Sequence, residues 1–425
     1  MINYRLDKHK IKLTSGETGF TLVEVLIAMS ILMIIITAYT VLFTGSFENI
    51  FRAGEKSDSL FLTQAELENF IALRTEGEGQ VLDLKFSEEE EYEIWGRKQE
   101  SNPFTTFVAE EKPPLRFVAV GRAGSVFASS LGDEWEEYES DTVSNLNSIT
   151  WGGTADDKRY LAVGGGGAIT SSRDGKHWNF INSNISNQLQ AVTWGGISGD
   201  YTKDIEGDRK YVAVGDGGAI IRSDDGVNWN TMTSGVSENL KGICWGYVDG
   251  RDRGYFVAVG ESGVILTWTG DNKDSWQEQE EKVYYYDKDT EEEYYEYERW
   301  TDKNLNDVFW GDGRFIAVGD EGVVLISSDG ENWTESSSGN KDLYGITWGY
   351  GKYVAVGEAG TILVSGDGNA WSSKNSGVAG NINDVTWSYN QFIAVSDNGV
   401  LISKDGETWT VELSATDKLY GVTGR

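Results

Sequence analysis

The sequence predicts an α+β multidomain chain. A long N-terminal helix comes first, then an all-β propeller of seven blades, closed by strands from the two ends of that domain. Three observations carry this reading. Residues Phe20 to Phe43 are almost wholly apolar and hold one charge, Glu24. A pentad of the form Phe-Val-Ala-Val-Gly occurs seven times between Phe117 and Ser396. The array opens on half a unit at Phe117 and finishes on the missing half, Leu419 to Arg425.

The helix is argued first. Phe20 to Phe43 spans 24 residues, and a bilayer core needs about 20 apolar residues in helical form. Arg5, Lys8, Lys10 and Lys12 precede it, which predicts a cytoplasmic N-terminus and a C-terminus outside. Past Phe43 the apolar residues Phe47, Ile50, Phe51, Leu60, Phe61, Leu67, Phe70, Ile71 and Leu73 recur at helical steps with charges between them. Gly77 and Gly79 stop the run. One helix over 20–75 would be roughly 80 Å long. The three prolines lie at 103, 113 and 114, so any bend in the helix falls to Gly45 or Gly54.

A charge at the start of a membrane span is costly and by default has a function. Gly19-Phe20-Thr21-Leu22-Val23-Glu24, set between a basic leader (1–19) and the apolar run, resembles the class III leader of type IV pilins and pseudopilins. A signal-peptidase site is poorly served by Thr37-Ala38-Tyr39. The resemblance implies that a prepilin peptidase cuts between Gly19 and Phe20 and methylates Phe20. It implies that Glu24 neutralises the N-terminal ammonium of a neighbouring subunit, a buried pair that holds only with both charges present. It also implies other pilins as partners along the helix, and a place in the cytoplasmic membrane before assembly into an extracellular filament.

Residues 76–114 are too few for a full pilin head. Gln80–Phe86 and Tyr92–Arg97 read as a hairpin around the acidic run Glu88 to Glu91, and Pro113-Pro114 marks a stiff boundary. Residues 115–425 are the repeat array. Each pentad precedes a glycine-rich turn and a second apolar strand such as Ala168–Ser171. Most copies then carry Ser-x-Asp-Gly-x-x-Trp, as in Ser223 to Trp229 and Ser403 to Trp409. From the second copy onward a strand such as Leu343–Gly349 leads each pentad. Four short strands at a period of about 40 residues describe propeller blades. Pairing Leu419–Arg425 with Phe117 completes the ring and removes an open sheet edge. The Ser-x-Asp-Gly-x-x-Trp element resembles the Asp-box of sialidase-like and photosystem-assembly-factor-like propellers. That likeness implies a folding role: the Asp ties the turn and the Trp packs between blades. Of 16 tryptophans, seven sit in these elements and six in leading strands, so the aromatic stripe is core.

Composition narrows the function. Lys plus Arg number 36 against 68 Asp plus Glu, a net charge of −32, which disfavours nucleic acid because that affinity rests on neutralising phosphates. Cys244 stands alone, so no internal disulfide forms, and its place in an apolar strand makes it a small core residue. Histidines are limited to His9 and His177, which argues against histidine catalysis or a His-built metal site. The arginines recur at no equivalent blade positions, as a sialidase triad would require. The expectation is a chain that is not an enzyme, with no cofactor and no metal.

Two surface features are candidates for binding. The turn after each pentad carries an acid in five blades, at Asp216, Glu261, Asp320 (with Glu321), Glu358 and Asp397. These either ring the axis and collect cations or a basic partner, or simply suit tight turns. Blade four holds an insertion, Gln277 to Arg299, read as a hairpin rich in Tyr284, Tyr285, Tyr286, Tyr294, Tyr295 and Tyr297. Exposed tyrosines make good contacts, and the alternative is a solvated acidic flap. The acids Asp200, Asp204, Glu206 and Asp208 lie in a loop of the opposite face, at a spacing unlike an EF-hand. The functional expectation is a minor pilin of a type IV pilus or related filament that displays a propeller to bind a protein or glycan. The alternatives are a pseudopilin of a type II-like secretion system contacting cargo, and a membrane-anchored glycan hydrolase.

Overall fold

The structure is a computed structural model. It describes residues 80–85, 91–101 and 104–109 as backbone, and 114–425 except 155–156, 197–208, 249–253, 270–275, 288–291 and 415–416. The leader, the stem helix, Gly19, Phe20, Glu24 and the acids of the 200–208 loop lie outside the described residues, as do the side chains of Tyr286 and Tyr294. Among the described residues, no helix is long and apolar enough to cross a membrane. The chain divides into two units, 1–112 and 113–425.

In the first unit the sheet has three strands, not the expected two: Gln80–Lys85, Glu91–Ser101 and Phe104–Ala109, paired antiparallel in that order. The added strand is Phe104-Thr105-Thr106-Phe107-Val108-Ala109, a run of aromatic and β-branched residues suited to a pleated surface. Pro103 precedes it in sequence.

The second unit is a seven-bladed propeller. Seven four-stranded antiparallel sheets succeed one another, and the last pairs Leu419–Gly424 with Phe117–Gly121, Val126–Ser129 and Glu136–Tyr138. The leading strands are innermost, and each neighbours the next around the axis, from Leu146–Thr154 through to Leu419–Gly424 and back. The pentads form the second strands. Phe117–Gly121 is buried at all five residues because neighbouring blades cover both its faces, which is why the pattern is continuous instead of alternating. Phe117, Phe256, Phe315 and Phe392 are fully buried, each contributing about 1.5–3 kcal/mol.

Blades interlock through the Trp-Gly pairs of the leading strands. A Cβ on Gly195 would lie 2.3 Å from the Trp245 ring, and one on Gly349 would lie 2.2 Å from the Trp387 ring. Only glycine lets the next blade's indole lie flat on the backbone. The indoles of Trp151, Trp194, Trp310, Trp348 and Trp387 also pack on the aromatic of their own second strand, as Trp194 does on Tyr211 with ring centroids 4.3 Å apart. Every leading strand carries a bulge between its first and third residues, as between Leu189 and Ala191. The bulge turns the second and third side chains toward the next blade and the axis.

Candidate functional site

The Ser-x-Asp-Gly-x-x-Trp turns join third and fourth strands. In blade three the Ser223 hydroxyl accepts the Gly226 N–H at 2.8 Å, and Asp225 Oδ1 accepts the N–H groups of Val227 and Asn228 at 2.8 and 2.7 Å. Burial opposes ionisation of Asp225, yet these N–H donors outweigh it and draw its pKa down to about 2. Asp329, Asp367 and Asp405 repeat the pattern. The indole of Trp333 donates to the Gly330 carbonyl at 3.1 Å. The Ser and Asp acceptors meet the turn's N–H groups from within it, so these residues brace the outer blades, although the buried Trp229 indole N–H finds no acceptor. Beside one of them, Phe180, Asn182, Asn184, Val227, Asn228 and Asn230 line an open groove of about 490 Å³ between blades two and three, and none of them is charged.

The opposite face carries the turns between second and third strands. Their first N–H returns to a carbonyl ahead of the same blade's leading strand, as Asp216 to Gln188 at 2.9 Å. Their second residue is left-handed even where it is not glycine: Ala123, Ser262, Glu321 and Ala359 have φ of 53–54°. That conformation aims its N–H at the next blade, where it meets Asn145, Asn304, Asp342 and Asn381 Oδ1 at 2.9–3.1 Å. These latches between blades were not anticipated from the sequence, although an Asn or Asp shortly before each leading strand was the available signal.

The five acids expected at these turns are all half-buried, and four carry partners: Asp216, Asp320 and Glu358 from their own blade, Asp397 from its own and the next. Asp216 accepts from Gln190 at 2.8 Å. Asp320 accepts from Asn304 and Asn306, each at 2.8 Å. Glu358 pairs with Lys341 at 3.1 Å, and Asp397 with Lys418 at 2.8 Å. Burial resists ionisation of Asp397, but the bonds from Lys418 and Asn383 hold its carboxyl below the usual range. Glu261 opens the equivalent turn of blade four. Four of the five acids are thus engaged by side chains of the propeller, and among the described residues no three His, Cys, Asp or Glu side chains gather as a metal site.

Two half-buried carboxyls were missed by sequence reasoning. Asp307 and Asp384 are the third residues of their leading strands. Asp307 Oδ1 accepts the Val308 N–H at 2.8 Å, and Oδ2 accepts the Ile346 N–H of the next blade at 2.9 Å. Asp384 does the same with Val385 and Val422. The innermost strand has no partner on its axial side, so its N–H groups need side-chain acceptors. Burial, then the charge of Asp384, pushes Asp307 up to about 8, against the pull of its two N–H donors. Burial likewise raises Asp384 to about 7. Cys244 is held well up by burial and by Asp307, in keeping with an inert core thiol.

The blade-four hairpin consists of Glu281–Asp287 and Glu292–Glu298 in a sheet of their own. Gln277–Glu278, expected as part of the insertion, belongs to the blade as its fourth strand. Tyr284, Tyr295 and Tyr297 are 68, 51 and 59% exposed. The Lys282 ammonium lies 3.7 Å from the Tyr295 ring centroid and 5.0 Å from that of Tyr284. Tyr285, on the other side of the hairpin, donates to Glu298. At the hairpin's base, Arg299 Nη2 donates to Glu238 and Glu278, both at 2.8 Å, and Nη1 to the Ser262 carbonyl at 3.2 Å.

Residues 14–40 match the family described as the prokaryotic N-terminal methylation motif. The chain carries a prepilin motif. That motif implies processing by a prepilin peptidase and assembly with pilins, and it is consistent with a membrane-held precursor and a surface filament. None of the curated proteins matches the chain. Two solved structures similar to it are YCF48 bound to D1 peptide and YCF48 from Cyanidioschyzon merolae. The first is 18% identical with a TM-score of 0.47, over 69% of this chain and 96% of that one. The second is 16% identical with a TM-score of 0.47, over 67% and 89%. Neither carries an argument about what this chain binds.

Proposed function

We propose that the chain is a minor pilin: its N-terminal helix seats it in a type IV pilus or related filament, and its propeller is a recognition head outside the cell. The observation that carries this reading is a prepilin motif at residues 14–40 on the same chain as a closed seven-bladed propeller. So bulky a head on every subunit would crowd a filament, which favours low copy number near the tip. Glu24, five residues past the proposed cut, gives the subunit a charge with which to dock on a neighbour. The head binds and does not catalyse, its ligand a protein or glycan. The uncharged amide-lined groove beside Phe180 favours a neutral glycan as one class.

Sheared filaments, analysed by mass spectrometry for the N-terminus and copy number of this protein, test the reading. A methylated Phe20 at low stoichiometry supports it. An intact Met1, or absence from filaments, overturns the filament role and leaves a membrane-anchored propeller. Recovery from a secretion pseudopilus in place of a pilus would assign it as a pseudopilin. Glu24→Ala should abolish incorporation and leave cleavage at Gly19 intact.

A further inference from the structure

A two-stranded sheet alone is marginal in water, so a hairpin that stands out from a propeller needs a mount. Here Arg299 supplies it by bridging Glu238, Glu278 and the Ser262 turn. Trp300 follows and packs against the cluster built on Val257 and Phe315. The base is therefore fixed to the propeller, on the face of the turns that begin with Asp216 and Glu261.

The register then decides what the hairpin presents. Lys282 pairs with Tyr297, and Tyr284 with Tyr295, and alternation sets these four on one side of the ribbon. Tyr295 and Tyr297 meet edge to face at 5.7 Å, an arrangement that fixes the rings relative to each other. Lys282 stands over the rings of Tyr284 and Tyr295. The reverse side of the same ribbon is anionic, with Glu281, Glu296 and Glu298 exposed there. Aromatic faces attract an ammonium or guanidinium through the ring quadrupole.

We propose that this face is a cradle for a lysine or arginine side chain of a partner protein, with Lys282 standing in the ligand's place in the free chain. The proposal rests on the reading of the propeller as a recognition head. Charge complementarity selects the occupant. The anionic hairpin and the chain's net charge of −32 favour a basic protein segment. They disfavour a phosphocholine headgroup, whose phosphate the same carboxylates repel. Lys282 is exposed, so a partner's cation can displace it at little cost in burial.

The test uses the full-length chain in detergent and a short fluorescent peptide of alternating Lys and Ser, with a Gln-Ser peptide as control. Physiological ionic strength screens bulk attraction to the acidic surface. Y284A/Y295A alters no charge, yet it should weaken binding of the Lys-Ser peptide about tenfold. Y284F/Y295F should keep the affinity. Should alanine unsettle the hairpin, Y284L/Y295L preserves apolar bulk without ring faces and must show the same loss. Wild-type affinity in Y284L/Y295L, or equal binding of the Gln-Ser peptide, overturns the proposal. Preference for phosphatidylcholine vesicles over the peptide overturns the assignment to a protein partner. Peptide affinity is independent of N-terminal processing, so its failure leaves the Gly19–Phe20 cut standing, and the reverse holds.

Discussion

Replacing Asp307 and Asp384 by asparagine should flatten the pH dependence of propeller stability. In the folded chain these carboxyls are raised to about 8 and about 7, while an unfolded Asp titrates near 3.9. From about pH 4 to 7 the folded state therefore holds two protons that the unfolded chain has released, and stability falls as pH rises through that window. The slope is about 1.4 kcal/mol per pH unit for each carboxyl. Between pH 5 and 7 the pair would remove up to about 5 kcal/mol, comparable with a whole domain's net stability. The turn carboxylates act oppositely. Asp225 is lowered to about 2, so its contribution is present above about pH 4 and lost as pH falls through the folded pKa. Wild type should be most stable at about pH 4–5, where both sets are favourable.

Asparagine keeps one acceptor and turns the other toward the Ile346 or Val422 N–H as a donor. That leaves an N–H unmet at a cost of about 1–3 kcal/mol per site, independent of pH. D307N/D384N should thus be weaker than wild type at pH 5, and the difference should close or reverse by pH 8. Unfolding in guanidinium chloride, followed by tryptophan fluorescence from pH 5 to 8, reads this directly. Parallel curves for the two proteins would refute the reasoning. They would mean that the paired N–H donors keep both carboxyls ionised in the folded state.

Three further changes probe the fold. Gly195→Val places a side chain where a Cβ already lies 2.3 Å from the Trp245 ring; thermal melting should show a loss of about 3 kcal/mol. Asp225→Ala frees the N–H groups of Val227 and Asn228 to water and should cost about 1–2 kcal/mol in urea unfolding, with the far-UV spectrum retained. Truncation before Leu419 strips Phe117–Gly121 of its inner partner, and size-exclusion chromatography should show association through the exposed strand edge.

The ring was legible because its parts are local. Each pentad, each Trp-Gly pair and each turn announces itself within one unit, and the half-units at Phe117 and Leu419 say how the circle closes. The Phe104–Ala109 strand was passed over because a run of six residues without a repeat competes poorly for notice. Asp307 and Asp384 were illegible for a different reason. Within their own strands, Leu305-Asn306-Asp307-Val308 and Ile382-Asn383-Asp384-Val385 look like polar interruptions. Their partner is an N–H of the following blade, set by the ring's geometry and not by strand periodicity. The acids at the turns were visible as a pattern, but whether they would face a ligand or the propeller itself depended on Gln190, Asn304, Lys341 and Lys418, which lie elsewhere in the chain.

The closure at Phe117–Gly121 has a mechanical consequence. On a filament, any load between stem and ligand enters the propeller at this strand, which lies between Leu419–Gly424 and Val126–Ser129. Its hydrogen bonds run across the strand direction on both sides. A lengthwise pull shears both ladders at once and cannot peel them open one bond at a time. The seam that shuts the ring is also where an adhesive head would resist being dragged apart.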